Sequence, residues 1–424
     1  MGVYEREPER KKEMQIAVMG FGTVGSGVVE LIDMNSEIIA KSCGQENISV
    51  KYILDIREFP GSKYQEKIIH DFEIIANDPE IGVVVETMGG INPAFGFIKK
   101  CLESKKSVVT SNKELVAMKG FELLSIAREN NVSFMFEASV GGGIPIIRPL
   151  SRCLAANKIE AIAGILNGTT NYILTQMIDK GESFETALAA AQTLGYAEKD
   201  PTADVEGFDA LRKICILASI AYDMHVYPKQ ATAEGITKIT LSDVAYADRA
   251  GFVIKLIADV RALENDKICA QVSPALVKKS SQLAAVNGVF NACLIRGNAV
   301  GDVVLYGQGA GKMATASAVV GDVIDCICCG GAKKCFGWTR DADESKTVSA
   351  DELEVQMMIV GSSENPAGAL RSVTEALGQV EKLESLADGE VAFITPMMTR
   401  KNILTALEGI EDFTLNTAIR VVDY

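Results

Sequence analysis

The sequence predicts an α/β protein: a Rossmann-type doubly wound parallel sheet, then an α+β domain, then a small C-terminal βαβ unit. Three observations predict it. A buried-type strand at 15–19 runs directly into Gly20-Phe21-Gly22-Thr23-Val24-Gly25 and then into a helical stretch. Strand-like and helix-like segments alternate from there to residue 136, the pattern of crossover units that build a parallel sheet. Beyond Pro149 the grammar changes to helices followed by a run of strand-like segments.

Taken in order, residues 1–13 form a mixed-charge arm expected to be poorly ordered. Residues 14–150 form the nucleotide-binding domain. In its GxGxxG turn, Gly20 permits the tight turn, Gly22 lets a pyrophosphate approach the backbone, and Gly25 allows close helix–strand packing. The next strand, 49–54, ends in Asp55, placed to accept hydrogen bonds from adenosine ribose hydroxyls; Arg57 is placed instead for the 2′-phosphate of NADP. The two signals conflict, so the choice of NADP or NAD stays open here. A strand at 81–86, a helix at 93–102 and a strand at 107–110 follow, with Lys113 at the carboxyl end of that last strand, where such sheets bind ligands. After a closing strand at 132–136, the loop from Glu137 to Pro145 carries three glycines and many free carbonyls. By itself it reads as a hinge before it reads as a cage for a hard cation.

Residues 151–310 form the second domain, with strands at 158–166, 267–272, 291–296 and 302–306, and helices at 172–180 and 183–194. Its most informative stretch is 195–213. A helix is expected from about Asp204, on which Glu206, Asp209 and Lys213 stack as one polar stripe on an otherwise apolar helix. A surface ion pair and a catalytic set both fit that stripe. A small-residue helix within 311–335 is expected to pack back on the nucleotide-binding domain, 336–352 is a polar linker, and 353–424 is the compact tail.

Composition narrows the function. The net charge of −14 argues against gripping nucleic acid, and no run of about 18 uncharged apolar residues is present, so neither nucleic acid nor membrane is an expected partner. Ten cysteines lie scattered, with only Cys326 and Cys329 at CxxC spacing and no secretory apolar segment, which reads as reduced thiols in the cytoplasm. With only His70 and His225 available, each with carboxylates close in sequence but neither with a second His or a Cys at ligand spacing, a zinc site or Ser-His triad is not expected. Proton transfer falls to Lys, Asp or Glu.

Six runs, in order, resemble the homoserine dehydrogenases over residues 14 to about 330: GFGTVGSGVV from Gly20, VVTSNKELVA from Val108, FEASVGGGIPIIRPL from Phe136, GILNGTTNYIL from Gly164, LGYAEKDPTADVEGFDALRK from Leu194 and YGQGAGKMATASAVV from Tyr306. The resemblance implies an NADP- or NAD-dependent interconversion of L-homoserine and L-aspartate 4-semialdehyde, on the branch to threonine, isoleucine and methionine. It implies Lys213 as proton donor and acceptor, with Glu198 and Asp209 holding substrate and Asp204, Gly168 and Thr169 beside them. It implies cofactor contacts at Phe21, Thr23, Val24, Lys113, Gly195 and Gly309, and a sodium or potassium site at Glu137 and the carbonyls of Val140, Gly142 and Ile144. It makes the second domain catalytic and dimerising, in a homodimer or homotetramer, and the tail is similar to a degenerate ACT-type domain. Asp55 departs from the family, many members of which present a basic residue there.

Two other readings compete. One is another nicotinamide-dependent dehydrogenase of a related small aldehyde or amino acid; against it, aldehyde-oxidising relatives that form acyl intermediates need a cysteine activated by a base, often His, and neither histidine lies in a candidate motif. A catalytically silent nucleotide sensor has no use for a proton donor such as Lys213.

Overall fold

Val18 and its neighbours explain the first sheet. In the computed structural model, which describes residues 14–328 and 337–424, β1 (Met14–Met19) has Ile16 to Met19 wholly buried. Ile16, Val18 and Met19 each contribute roughly 1.5–3 kcal/mol by leaving water. Helix α1 (Thr23–Met34) covers it with Val28, Val29 and Ile32. Next come α2 (Ser36–Cys43), β2 (Ile48–Leu54), β3 (Ile68–Ile69), α3 (Phe72–Asn77), β4 (Ile81–Glu86), α4 (Ala94–Glu103), β5 (Ser107–Thr110), α5 (Lys113–Glu129) and β6 (Phe134–Met135). The six strands lie in the order β3-β2-β1-β4-β5-β6, all parallel, so the order reverses between β1 and β4. That is the Rossmann order, and the reversal point is where such sheets take a dinucleotide.

By contacts the chain divides into two units, Met1–Ser151 with Ala310–Asp341, and Arg152–Gly309 with Ala342–Tyr424. The second opens with β7 (Ile159–Ile165), α6 (Gly168–Lys180), α7 (Phe184–Thr193), α8 (Thr202–Val205) and α9 (Phe208–Ala221). Then follow β8 (Thr232–Ala233), α10 (Leu241–Arg249), β9 (Phe252–Ala262), β10 (Ile268–Lys278), β11 (Phe290–Gly297) and β12 (Gly301–Gln308). Helix α11 (Lys312–Cys328) returns to the first unit. Gly27 of α1 lets it approach, since a Cβ there would sit 2.8 Å from the Lys312 carbonyl oxygen. The expected arm at 1–13 and Cys329 lie outside the described residues.

The tail comprises β13 (Glu354–Val355), β14 (Met357–Ser362), α12 (Pro366–Leu377), β15 (Glu381–Leu383), β16 (Glu390–Ile394), β17 (Met398–Thr399), α13 (Arg400–Glu408) and β18 (Thr414–Val422). Its main strands run β18-β14-β16-β15, the ferredoxin-like split βαβ arrangement. Strand β18 also pairs in parallel with β10, so these strands continue the sheet of β12-β11-β7-β9-β10. Buried Arg420 fastens this seam: it meets Asp259 at 2.6 Å and donates to Ser273 Oγ at 2.6 Å and to the Ile257 carbonyl at 3.1 Å.

Two sequence expectations need correction. The helix expected from Asp204 is two helices, α8 and α9, broken at Gly207, which takes φ of 80°. Glu206 therefore falls outside α9 and accepts from Thr237 Oγ1 at 3.2 Å instead of joining a stripe with Asp209 and Lys213. Strand β9 went unread because Lys255 and Asp259 interrupt its apolar run. Both point inward with partners: Lys255 Nζ donates to the Val286 carbonyl (2.6 Å) and Asn287 Oδ1 (2.8 Å), while Asp259 takes Arg420 and Tyr424.

Candidate active site

The end of β7 and the starts of α6 and α9 converge on one buried polar cluster. Lys213, one turn into α9, donates from Nζ to Asp209 Oδ2 at 2.7 Å and to the Leu166 carbonyl at 2.7 Å. Lys213 is 9% exposed and Asp209 5%, which removes the reading of a surface ion pair. Asn167 caps α6, its Oδ1 accepting from Thr170 N at 2.9 Å. Its Nδ2 donates to Asp209 Oδ2 at 2.9 Å and to Asp204 Oδ1 at 2.7 Å. Burial pushes the Asp204 carboxyl above its usual range and the Asp209 charge adds to that, while the bond from Asn167 and the Lys213 charge oppose it.

Thr169 and Gly168 belong to the same corner. Thr169 Oγ1 donates to the Tyr196 carbonyl at 2.7 Å, tying α6 to the turn that carries Gly195 (φ 75°) and Glu198. A Cβ on Gly168 would sit 2.8 Å from the Val289 carbonyl oxygen. The structure thus gathers Lys213, Asp209, Asp204 and Thr169, whereas the Glu198 side chain stands exposed two residues beyond Tyr196. Gly309 is pressed on the buried Asn291 amide, whose nitrogen would lie 2.0 Å from a Cβ there.

Sequence reasoning passed over Asn167 and Asn291 as site residues. An Asn directly before a helix start is a capping signal and marks Asn167; nothing local marks Asn291.

In the first unit, Gly20 takes φ of 94° and a Cβ on Gly25 would fall 1.9 Å from the Gly20 carbonyl oxygen, so only glycine closes this turn. Gly22 stands at the N-cap of α1 with open space around it and no side-chain cap. The first amides of α1, at Thr23, Val24 and Gly25, are thereby left for an anion, which is the fit a pyrophosphate requires. The ends of β4 and β5 are tied together beside it. Glu86, fully buried, accepts from Met88 N (2.7 Å), Gly89 N (3.2 Å) and Thr110 Oγ1 (2.6 Å), and Asn112, the N-cap before Lys113, donates to the Gly90 carbonyl at 2.5 Å.

Asp55 is occupied. Its Oδ2 accepts from Phe21 N at 2.7 Å and Arg57 Nη2 at 3.0 Å, and its Oδ1 from Arg57 N and Nε at 3.0 Å each. Arg57 holds this carboxyl down at about 2, whereas the Arg57 side chain itself is 59% exposed.

The glycine loop is equally ordered by its acid. Glu137 Oε1 accepts from Ile146 N (2.6 Å) and Ile147 N (2.7 Å), and Oε2 from Arg148 N (2.7 Å). Its carboxylate is spent on the backbone, so what Glu137 offers a cation is its main-chain carbonyl. The carbonyls of Glu137, Val140, Gly142 and Ile144 accept none of the described turn and loop hydrogen bonds. Such a neutral oxygen set suits a weakly charged hard cation. Among the described residues no cluster of His, Cys, Asp and Glu offers a metal site, and no described helix is long and apolar enough to cross a membrane.

Comparison with known proteins agrees with this architecture. Residues 20–137 match the family model for the homoserine dehydrogenase NAD-binding domain, and residues 145–324 that for homoserine dehydrogenase. A homoserine dehydrogenase of Synechocystis sp. is 45% identical over 319 residues, 74% of this chain and 73% of that protein. The crystal structure of a homoserine dehydrogenase from Thiobacillus denitrificans superposes with a TM-score of 0.88 at 34% identity, covering 97% of this chain and 99% of that one. A hyperthermophilic archaeal homoserine dehydrogenase in complex with NADPH has a TM-score of 0.63 at 28% identity, covering 74% of this chain and 98% of that one.

Proposed function

This chain belongs to the homoserine dehydrogenase family, and we propose on that footing that Lys213 is the group that moves the proton in its reaction. The protein is an NAD(P)-dependent oxidoreductase that interconverts L-homoserine and L-aspartate 4-semialdehyde, a step of amino-acid biosynthesis. The bound nicotinamide supplies or accepts the hydride. In the reducing direction the aldehyde carbon gains that hydride, and its oxygen, becoming an alkoxide, needs a proton. The observation that carries the reading is the pair of bonds that fix Lys213: two of its three N–H groups are held by Leu166 O and Asp209, which leaves one directed donor. A cation there stabilises the developing charge and then protonates it. Asp209 and Asp204, with Glu198 from the adjoining turn, attract the substrate's ammonium, and Thr169 holds that turn.

Lys213→Arg tests this. Arginine keeps the charge but cannot give up its proton, so homoserine oxidation is lost while NADP still binds. An arginine variant that still oxidises homoserine would reduce Lys213 to an electrostatic role.

The cofactor is NADP on this reading. Asp55 has no acceptor capacity left for a ribose hydroxyl, and Arg57 stands outward for the 2′-phosphate. Sodium or potassium sits among the carbonyls of Glu137, Val140, Gly142 and Ile144, where it stiffens the glycine loop. Potassium chloride should then raise the melting temperature over choline chloride, and equal melting temperatures in the two salts would refute the site. The enzyme works in the cytoplasm as a homodimer or a homotetramer; edge strand β12, with Tyr306 56% exposed and stacked on Phe290, supports pairing of this sheet. Light scattering that finds only monomer would refute it.

A further inference from the structure

We infer that Asn167 is a positioning residue of the substrate site, one that holds the Asp204 and Asp209 carboxylates together so that a single ammonium meets both; the inference rests on the homoserine reading of this site. One amide nitrogen donates to both acids, at 2.7 Å and 2.9 Å. The two N–H directions of an amide diverge by about 120°, so the accepting oxygens stand roughly 5 Å apart. That spacing brings the two carboxylate groups close enough to share one ammonium and is unfavourable for two bare carboxylates.

The amide cannot turn away. Its Oδ1 accepts from Thr170 N at 2.9 Å and from Thr170 Oγ1 at 3.0 Å, and Asn167 is 5% exposed, so Nδ2 is aimed at the acids by the start of α6. The charged groups facing it are Asp204 from α8, and Asp209 and Lys213 from α9. Leu166, on its other flank, contributes only a carbonyl, already used by Lys213.

The residue therefore has two separable duties, a helix cap through oxygen and a bridge through nitrogen. Asn167→Ser keeps the first, since a hydroxyl caps α6, and removes the second. The expected result is a melting temperature within a few degrees of wild type and a homoserine KM raised about 10- to 100-fold, the range for lost charge-assisted hydrogen bonds. The NADP KM and the kcat at saturating homoserine stay within about threefold. The acid limb of kcat/KM for homoserine moves to higher pH, because the donor that opposes the rise of the Asp204 carboxyl is gone. Asn167→Asp, which also caps, should give the same direction with a larger KM effect. Unchanged homoserine KM and pH limb in both variants, or an NADP KM that rises in step, overturns the inference. A wild type inert on homoserine removes the underlying reading and the inference with it.

Discussion

On the NADP reading proposed above, replacing Arg57 by alanine should remove the preference for NADP over NAD. Asp55 receives four hydrogen bonds, from Phe21 N and from three nitrogens of Arg57, which fills the roughly four acceptor positions of a carboxylate. A ribose 2′-hydroxyl would have to displace one of them. Arg57 spends its Nε and one Nη2 proton on Asp55, stacks over Phe59 at 5.1 Å, and has three further N–H donors on a side chain that is 59% exposed. A phosphate gains at least one charge-assisted bond from that fork, so its loss lowers kcat/KM for NADP by roughly 10- to 100-fold. The value for NAD, which lacks the phosphate, does not fall and rises if a ribose hydroxyl takes one of the two acceptor positions that the lost Nε and Nη2 open on Asp55. The assay is the initial rate of homoserine oxidation across NADP and NAD concentrations on wild type and variant. Equal losses with both cofactors, or a wild type that prefers NAD, would refute the reasoning.

Asp55→Asn should cost about 1 kcal/mol of stability at neutral pH, because Arg57 and Phe21 N lower its folded carboxyl to about 2 from an ordinary 3.8 while water screens the exposed Arg57. A depressed pKa contributes above its unfolded value, so denaturant melts of wild type and variant should converge as pH falls from about 4 towards 2. Arg420→Ala leaves the wholly buried Asp259 without its 2.6 Å partner and should lower stability by about 3–5 kcal/mol, read as a shift in the urea midpoint. Gly309→Ala drives a Cβ to 2.0 Å of the Asn291 nitrogen, so we expect about 1–3 kcal/mol of destabilisation and a raised cofactor KM.

Five of the six strands of the first sheet were legible because their signals are local, whereas β3 is only Ile68 and Ile69 and carries no such run. Gly20, Gly22 and Gly25 are dictated by the backbone of their own turn, and the buried runs at β1 and β4 are nearly uninterrupted. Lys213 and Asp209 were legible as an i, i+4 pair, but their burial depends on α9 meeting the end of β7, 47 residues away in sequence for Lys213 and Leu166. The stripe misled at Glu206 because a single glycine, Gly207, ends one helix before the next begins. Strand β9 hid behind two inward charges whose partners, from Val286 to Arg420, are distant in sequence. The conflict of Asp55 with Arg57 had no local resolution either, since it turns on a bond to Phe21 N across 34 residues. The pairing of β18 with β10 carries no sequence mark.

The most direct test is a single turnover of L-aspartate 4-semialdehyde by enzyme saturated with NADPH, comparing wild type with Lys213→Ala. If Lys213 donates the proton, the variant binds NADPH with unchanged affinity and its rate falls by about 10²- to 10⁴-fold, the usual worth of a positioned general acid. A variant that turns over within a few-fold of wild type would take Lys213 out of the chemistry.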